Sequence, residues 1–148
     1  MFATTLKTLF RRDLEKLIQE LSLYTNESKI WYIEKGISNS AGNLALHLVG
    51  NLNTYIGLYL GNTGYVRNRE LEFSQKDVPR ATLIKMVEDT IVVIDKVMDE
   101  LTAEQVAALY PIEIFGGPIY TEHFLMHLSG HLMYHLGQVN YHRRLLDA

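Results

Sequence analysis

The sequence predicts an all-α fold, a four-helix bundle with a short helix and a turn before the last helix. Four long segments repeat apolar residues at the helical period, and the loops joining them are modest. No internal repeat, linker or low-complexity tract interrupts the 148 residues. A single domain over residues 1–148 is expected, long enough to bury a core without staples.

The first helix is read from Leu6, Leu9, Phe10, Leu14, Leu17, Ile18 and Leu21, spaced three or four apart with charged residues between them. It is expected to end near Tyr24-Thr25-Asn26. A connecting stretch holds the only tryptophan, Trp31, and closes at Ser38-Asn39-Ser40, a good N-cap region. The second helix is expected from about Ser40 to Gly61. It is almost uncharged and apolar on most sides, the mark of a buried helix. Gly42, Gly50 and Gly57 each cost about 1 kcal/mol against alanine there, so a neighbour or ligand is expected to come close.

Residues 61–73 read as a loop rich in Gly, Asn and Arg, leading to Ser74–Pro79. A third helix is expected over Arg80–Leu101, with Leu83, Val87, Ile91, Ile94 and Met98 inward. Thr102-Ala-Glu-Gln105 has capping-box form and opens a short helix ending near Tyr110. Pro111–Pro118 reads as a turn or small hairpin around Gly116-Gly117. The fourth helix runs from about Tyr120 to Leu146, with Arg143 and Arg144 at its negative end.

Composition narrows the function. A net charge of −3 gives no electrostatic reason to expect nucleic acid or an acidic membrane as partner. The absence of cysteine excludes disulfides, thiolate metal sites and a catalytic cysteine on the chain. Charges at Lys7, Arg11, Arg12, Asp13 and Glu15 break any signal-peptide core, and no apolar run reaches membrane-spanning length. A cytoplasmic protein is expected.

The chemistry points to the histidines. His123, His127, His131 and His135 stand four residues apart, and a four-residue step turns a helix about 400°, so each lies about 40° round from the last. His47 lies on the most apolar helix, where a lone imidazole is costly without a partner. Two imidazoles from the fourth helix and one from the second would give three nitrogen ligands and an open fourth position, the pattern of a catalytic metal site. The same stripe, with Asn43 and Asn51 one turn either side of His47, can instead be a hydrogen-bonded polar layer that sets helix register. His123 and His142, near helix ends, are expected in solvent. His127 can be a fourth ligand, a supporting group or a surface residue. Tyr55, Tyr59 and Tyr134 can line a pocket or serve as ordinary core aromatics. No general base stands out; Glu113 and Glu122 lie near the start of the last helix, with nothing tying them to a metal.

NLALHLVGNL in mid-chain and the late HLMYHLGQV together resemble the DinB/YfiT-like metalloenzyme superfamily, and within it the DUF1572 group. The H-x-x-x-H-x-G-Q pattern is matched by His131, His135, Gly137 and Gln138, and His47 takes the place of the histidine on the second helix. The resemblance covers essentially the whole chain. It implies an up-down-down-up bundle, a divalent metal at His47, His131 and His135, and often a homodimer. It also implies a link to transferases and isomerases that use low-molecular-weight thiols such as bacillithiol or mycothiol. His127 falls outside the implied triad, while Gln138, Asn43 and Asn51 become candidates to orient a ligand.

The reading that follows is a metal-dependent enzyme, a thiol transferase or hydrolase, with Zn²⁺ or Ni²⁺ as Lewis acid. Any thiol must come from a small cosubstrate, since the chain has none. A non-catalytic, stress-related homodimer that binds metal or a small ligand is the alternative, and a purely structural homodimer with a polar core is a third. A ferritin-like di-iron site is disfavoured because no Glu precedes a His by three residues. Missing cysteines exclude covalent haem, and bis-histidine haem would leave one of His131 and His135 unexplained.

Overall fold

A computed structural model describes residues 1–147. It is all-α: six helices, with no strand among the described residues. Four are long or central: α1 (Phe2–Leu23), α2 (Ala41–Leu52), α4 (Arg80–Glu100) and α6 (Thr121–Leu146). Two are short, α3 (Arg69–Ser74) and α5 (Ala103–Ala107). No helix among the described residues is long and apolar enough to cross a membrane.

Packing follows the apolar periodicity. α1 packs on α4 and α6, and α2 packs on the same two, so both amphipathic pairs bury their stripes in one core. Phe10, Leu14 and Leu17 of α1 meet there with Leu48 and Leu52 of α2, Leu83 of α4 and Leu132 of α6. Every residue of α2 is buried. That explains its lack of charge, and it places His47 inside the protein. Ser40 caps α2 by accepting from the Asn43 N–H at 3.1 Å.

Two glycines of α2 mark close approaches. A Cβ on Gly42 would stand 2.6 Å from the Trp31 ring, so the tryptophan of the linker lies flat on the helix. A Cβ on Gly50 would stand 1.9 Å from Glu72 Oε2, so a carboxylate occupies that space. The helical penalty of these glycines is offset by what they admit.

Several expected boundaries change. The second helix is α-helical only to Leu52; Asn53–Leu58 form a π-helical turn, and the chain leaves the helix before Gly61. Residues 61–73 are not all loop, because α3 begins at Arg69, where Asn68 accepts from the Leu71 N–H at 3.2 Å. Six residues with two apolar side chains are too few to show a period. The short helix after Thr102 stops at Ala107, with the expected capping box present. The hairpin apex lies one residue early, at Phe115 and Gly116, both at positive φ (55° and 81°), with Ile114 and Gly117 bridged across it.

His142 is the clearest correction. It is 7% exposed, not solvated. Its Nε2–H donates to the Tyr32 carbonyl at 2.8 Å, which leaves Nδ1 to accept the Tyr24 hydroxyl at 2.6 Å. The end of α1 and the linker fold over this last turn of α6, and Asp147 joins them by accepting from the backbone N–H groups of Thr25 and Asn26. His123, by contrast, is exposed as expected.

Candidate metal centre

α2 and α6 cross so that His47 faces His131 and His135. The Nε2 atoms of His47 and His131 are 3.2 Å apart, and those of His131 and His135 are 3.1 Å apart. One ligand atom from each of the three lies within 4.8 Å of the others. A tetrahedral ion with nitrogen bonds of about 2.0–2.1 Å sets its ligand atoms about 3.3 Å apart. The two distances from His131 are close to that.

The tautomers decide what these nitrogens offer. His47 Nδ1 lies 3.0 Å from Glu72 Oε1, and a carboxylate only accepts, so Nδ1 carries the proton and Nε2 a lone pair. His135 Nδ1 donates to Gln138 Oε1 at 2.7 Å, which likewise frees its Nε2 as a lone pair. His131 Nε2 stands between these two lone pairs. A proton there can serve only one of them. A proton on Nδ1 instead leaves three lone pairs converging, the arrangement a cation neutralises. His131 Nδ1 is buried without a partner among the described residues, so no hydrogen bond sets its tautomer as Glu72 and Gln138 set those of His47 and His135.

Electrostatics favour the neutral form of His131 and His135, as metal ligation requires. Burial, helped by His135 and His47, pushes His131 down to about 4. Burial also lowers His135, although its bond to Gln138 opposes the shift.

Behind His47 stands a group that sequence reasoning missed. Glu72, on α3, is 6% exposed and is gripped by Arg67, whose Nε and Nη2 donate to its two oxygens at 2.8 and 2.9 Å. Burial pushes the Glu72 carboxyl up, but the hydrogen bonds from His47 and Arg67 outweigh it and hold the group below the usual carboxylate range. Glu72 is therefore an anion that fixes the tautomer and orientation of the His47 ring. The only sequence signal was Gly50, whose missing side chain makes room for it.

The other candidates divide. Asn43 points away from the triad; its Nδ2 donates to the backbone carbonyls of Glu72 and Gln75 at 2.9 and 2.8 Å, so it holds the end of the α3 segment. Gln138 touches His135 directly. Tyr134 is exposed, lies beside the His135 ring and lines a cleft of about 670 Å³ with Leu44, Gln138 and Tyr141. His127 stays outside the triad, its ring 6.3 Å from that of His131 and edge-on to Phe115. Asn51, His127 and Tyr55 line a second, smaller pocket with His47 and His131. Tyr59 is not in that lining; it stacks on Tyr55. Neither Glu113 nor Glu122 lines either pocket.

The profile of the family described as "Protein of unknown function (DUF1572)" matches residues 2–148. The chain belongs to the DUF1572 family. No curated protein matches it. For this DUF1572 member the triad is the one group of histidine and acidic side chains, among the described residues, with the convergence to hold an ion.

Proposed function

We propose that this protein is a divalent-metal-dependent enzyme, a DinB-like four-helix bundle of up-down-down-up type whose ion is held by His47, His131 and His135. The observation that carries the reading is the convergence of three Nε2 atoms, two of them left as lone pairs by the bonds to Glu72 and Gln138. Three neutral imidazoles suit Zn²⁺ or Ni²⁺. A divalent cation held there supplies Lewis acidity at an open position, enough to acidify a thiol or water presented to it.

The chain's own residues do the rest. Glu72 accepts from the His47 Nδ1–H and is itself fixed by Arg67, so the ligand ring cannot turn. Gln138 does the same for His135 from the next turn of α6. Leu44 and Tyr141 give the cleft beside His135 an apolar wall, where water is poorly held. Since the chain has no cysteine, thiol transfer would need a low-molecular-weight thiol as cosubstrate. Tyr134, Tyr141 and Leu145, exposed on one stripe of α6, support assembly as a homodimer.

A second reading is metal binding without turnover. It is favoured by one observation: the small pocket beside His47 and His131 is lined by no carboxylate that could serve as a base. Metal analysis of untagged protein beside His47→Ala and His131→Ala tests the site. Stoichiometric metal in the parent and its loss from both variants is expected; equal metal in all three refutes the ligands. Turnover of electrophiles with added thiols then separates enzyme from binder.

A further inference from the structure

The small pocket next to the triad has a charge character that the metal reading does not use. It measures about 180 Å³ and is bounded by Arg67, Arg69, Asn51 and His127, with Phe115 at its edge. Small-molecule pockets usually enclose about 300–1,000 Å³, so this one takes a single functional group rather than a whole ligand. Its wall holds two guanidinium groups and no carboxylate, in a chain whose net charge is −3. The local sign therefore runs against the protein's own.

Arg67 is pre-aimed. Two of its nitrogens are spent on Glu72, which locks the planar fork and leaves Nη1 unengaged by that carboxylate. Arg69 forms no ion pair among the described residues; its guanidinium lies 5.4 Å from the Phe73 ring centroid. Two further groups in the same wall lack partners. Asn51 is 8% exposed, yet its Oδ1 has no donor, and His131 Nδ1 has no acceptor. An anion can use only the N–H side of the Asn51 amide, since Oδ1 accepts and cannot donate.

We propose that this pocket is an anion subsite, in which Arg67 and Arg69, with Asn51 between the helices, seat a carboxylate or phosphate group of the ligand whose reacting end lies at the triad. This deepens the metal reading and rests on it for the position of the reacting end. The anion subsite itself requires only the pocket.

The test uses the full chain loaded with Zn²⁺ and, in parallel, the metal-free chain. Each is titrated calorimetrically with inorganic phosphate and with acetate, and metal content is measured on every sample. Arg69→Gln is the decisive variant, because Arg69 supports none of the triad; Arg67→Lys keeps the charge beside Glu72 but removes the fork. Lys35→Gln, which alters the larger cleft, is the control. Loss of a charge-assisted contact is expected to weaken binding by about tenfold or more in both arginine variants, with Lys35→Gln matching the parent. The tighter of the two anions identifies the group as phosphoryl or carboxylate. Anion binding that ignores Arg69→Gln, or no binding of either anion, overturns the subsite even where metal is stoichiometric. Arg69-dependent binding by a chain that takes up no metal supports the subsite while refuting the metal.

Discussion

Glu72 accepts a hydrogen bond from the Nδ1–H of His47 at 3.0 Å in the space that Gly50 leaves open, so one carboxylate ties α3 to the only histidine of α2. The pair is buried on both sides, with Arg67 supplying the countercharge. It converts an imidazole on an apolar helix into a nitrogen donor of fixed direction.

Glu72→Gln tests that relationship with little change of shape. The amide can still meet His47, but the negative charge is gone and Arg67 loses its partner. Weakening of Zn²⁺ affinity by about 10–100-fold is expected, the usual range for the partner of a metal-ligating histidine. Chelator competition measures it. Affinity equal to the parent's means that the carboxylate serves α3 alone.

Gly50→Ala probes the same contact from the other side. In an isolated helix alanine is worth about 1 kcal/mol over glycine. Here its Cβ would fall 1.9 Å from Glu72 Oε2, so the carboxylate must move. Helix content should stand while metal affinity falls, and the double variant Gly50→Ala/Glu72→Gln should be little worse than either single one, since both remove one contact. Additive losses in chelator competition would show that Gly50 matters for another reason.

How much of this was legible beforehand follows from where each signal resides. The long helices carry many apolar residues at one period, so their number and order could be read, as could the capping box at Thr102. The triad was legible because a four-residue repeat on α6 and one histidine on an uncharged helix leave few partners. Glu72 was not legible: it lies on a six-residue helix with no period, and its link to His47 is a contact between residues twenty-five positions apart. His142 was misplaced because proximity to a helix end says nothing of the chain that folds over that end. Only the position of Tyr24 and Tyr32 over α6 buries it.

That burial gives a pH dependence. His142 is held below its ordinary value of 6.5, chiefly by desolvation, with the bond to Tyr32 opposing. In the window between its folded value and 6.5 the unfolded chain binds more protons, so stability rises with pH there and is fully present above it. As pH falls through that window the contribution is lost. In the variant His142→Gln a side-chain amide takes the place of the imidazole; it can make both bonds without titrating. Denaturant midpoints followed from about pH 5 to 8 should fall less steeply on the acid side in His142→Gln than in the parent. Parallel curves would assign the acid loss to other groups.

Phe115 sets strain against packing. Its φ of 55° is a left-handed conformation that costs a non-glycine residue about 1–2 kcal/mol. It is 73% exposed, so little burial repays that cost; its ring meets His127 edge-on at 4.9 Å and Phe124 at 6.2 Å. Phe115→Gly removes the strain and the ring together. Because the ring is mostly in water, relief should equal or exceed the lost contact, and the thermal midpoint should match or surpass the parent's. The ring also forms part of the wall of the small pocket, so phosphate affinity should fall in the same variant while Zn²⁺ affinity stands. A lowered midpoint would mean that Phe115 is kept for the packing of the hairpin on α6. An unchanged or raised midpoint with weakened phosphate binding would mean that the strained turn is kept for the pocket it closes.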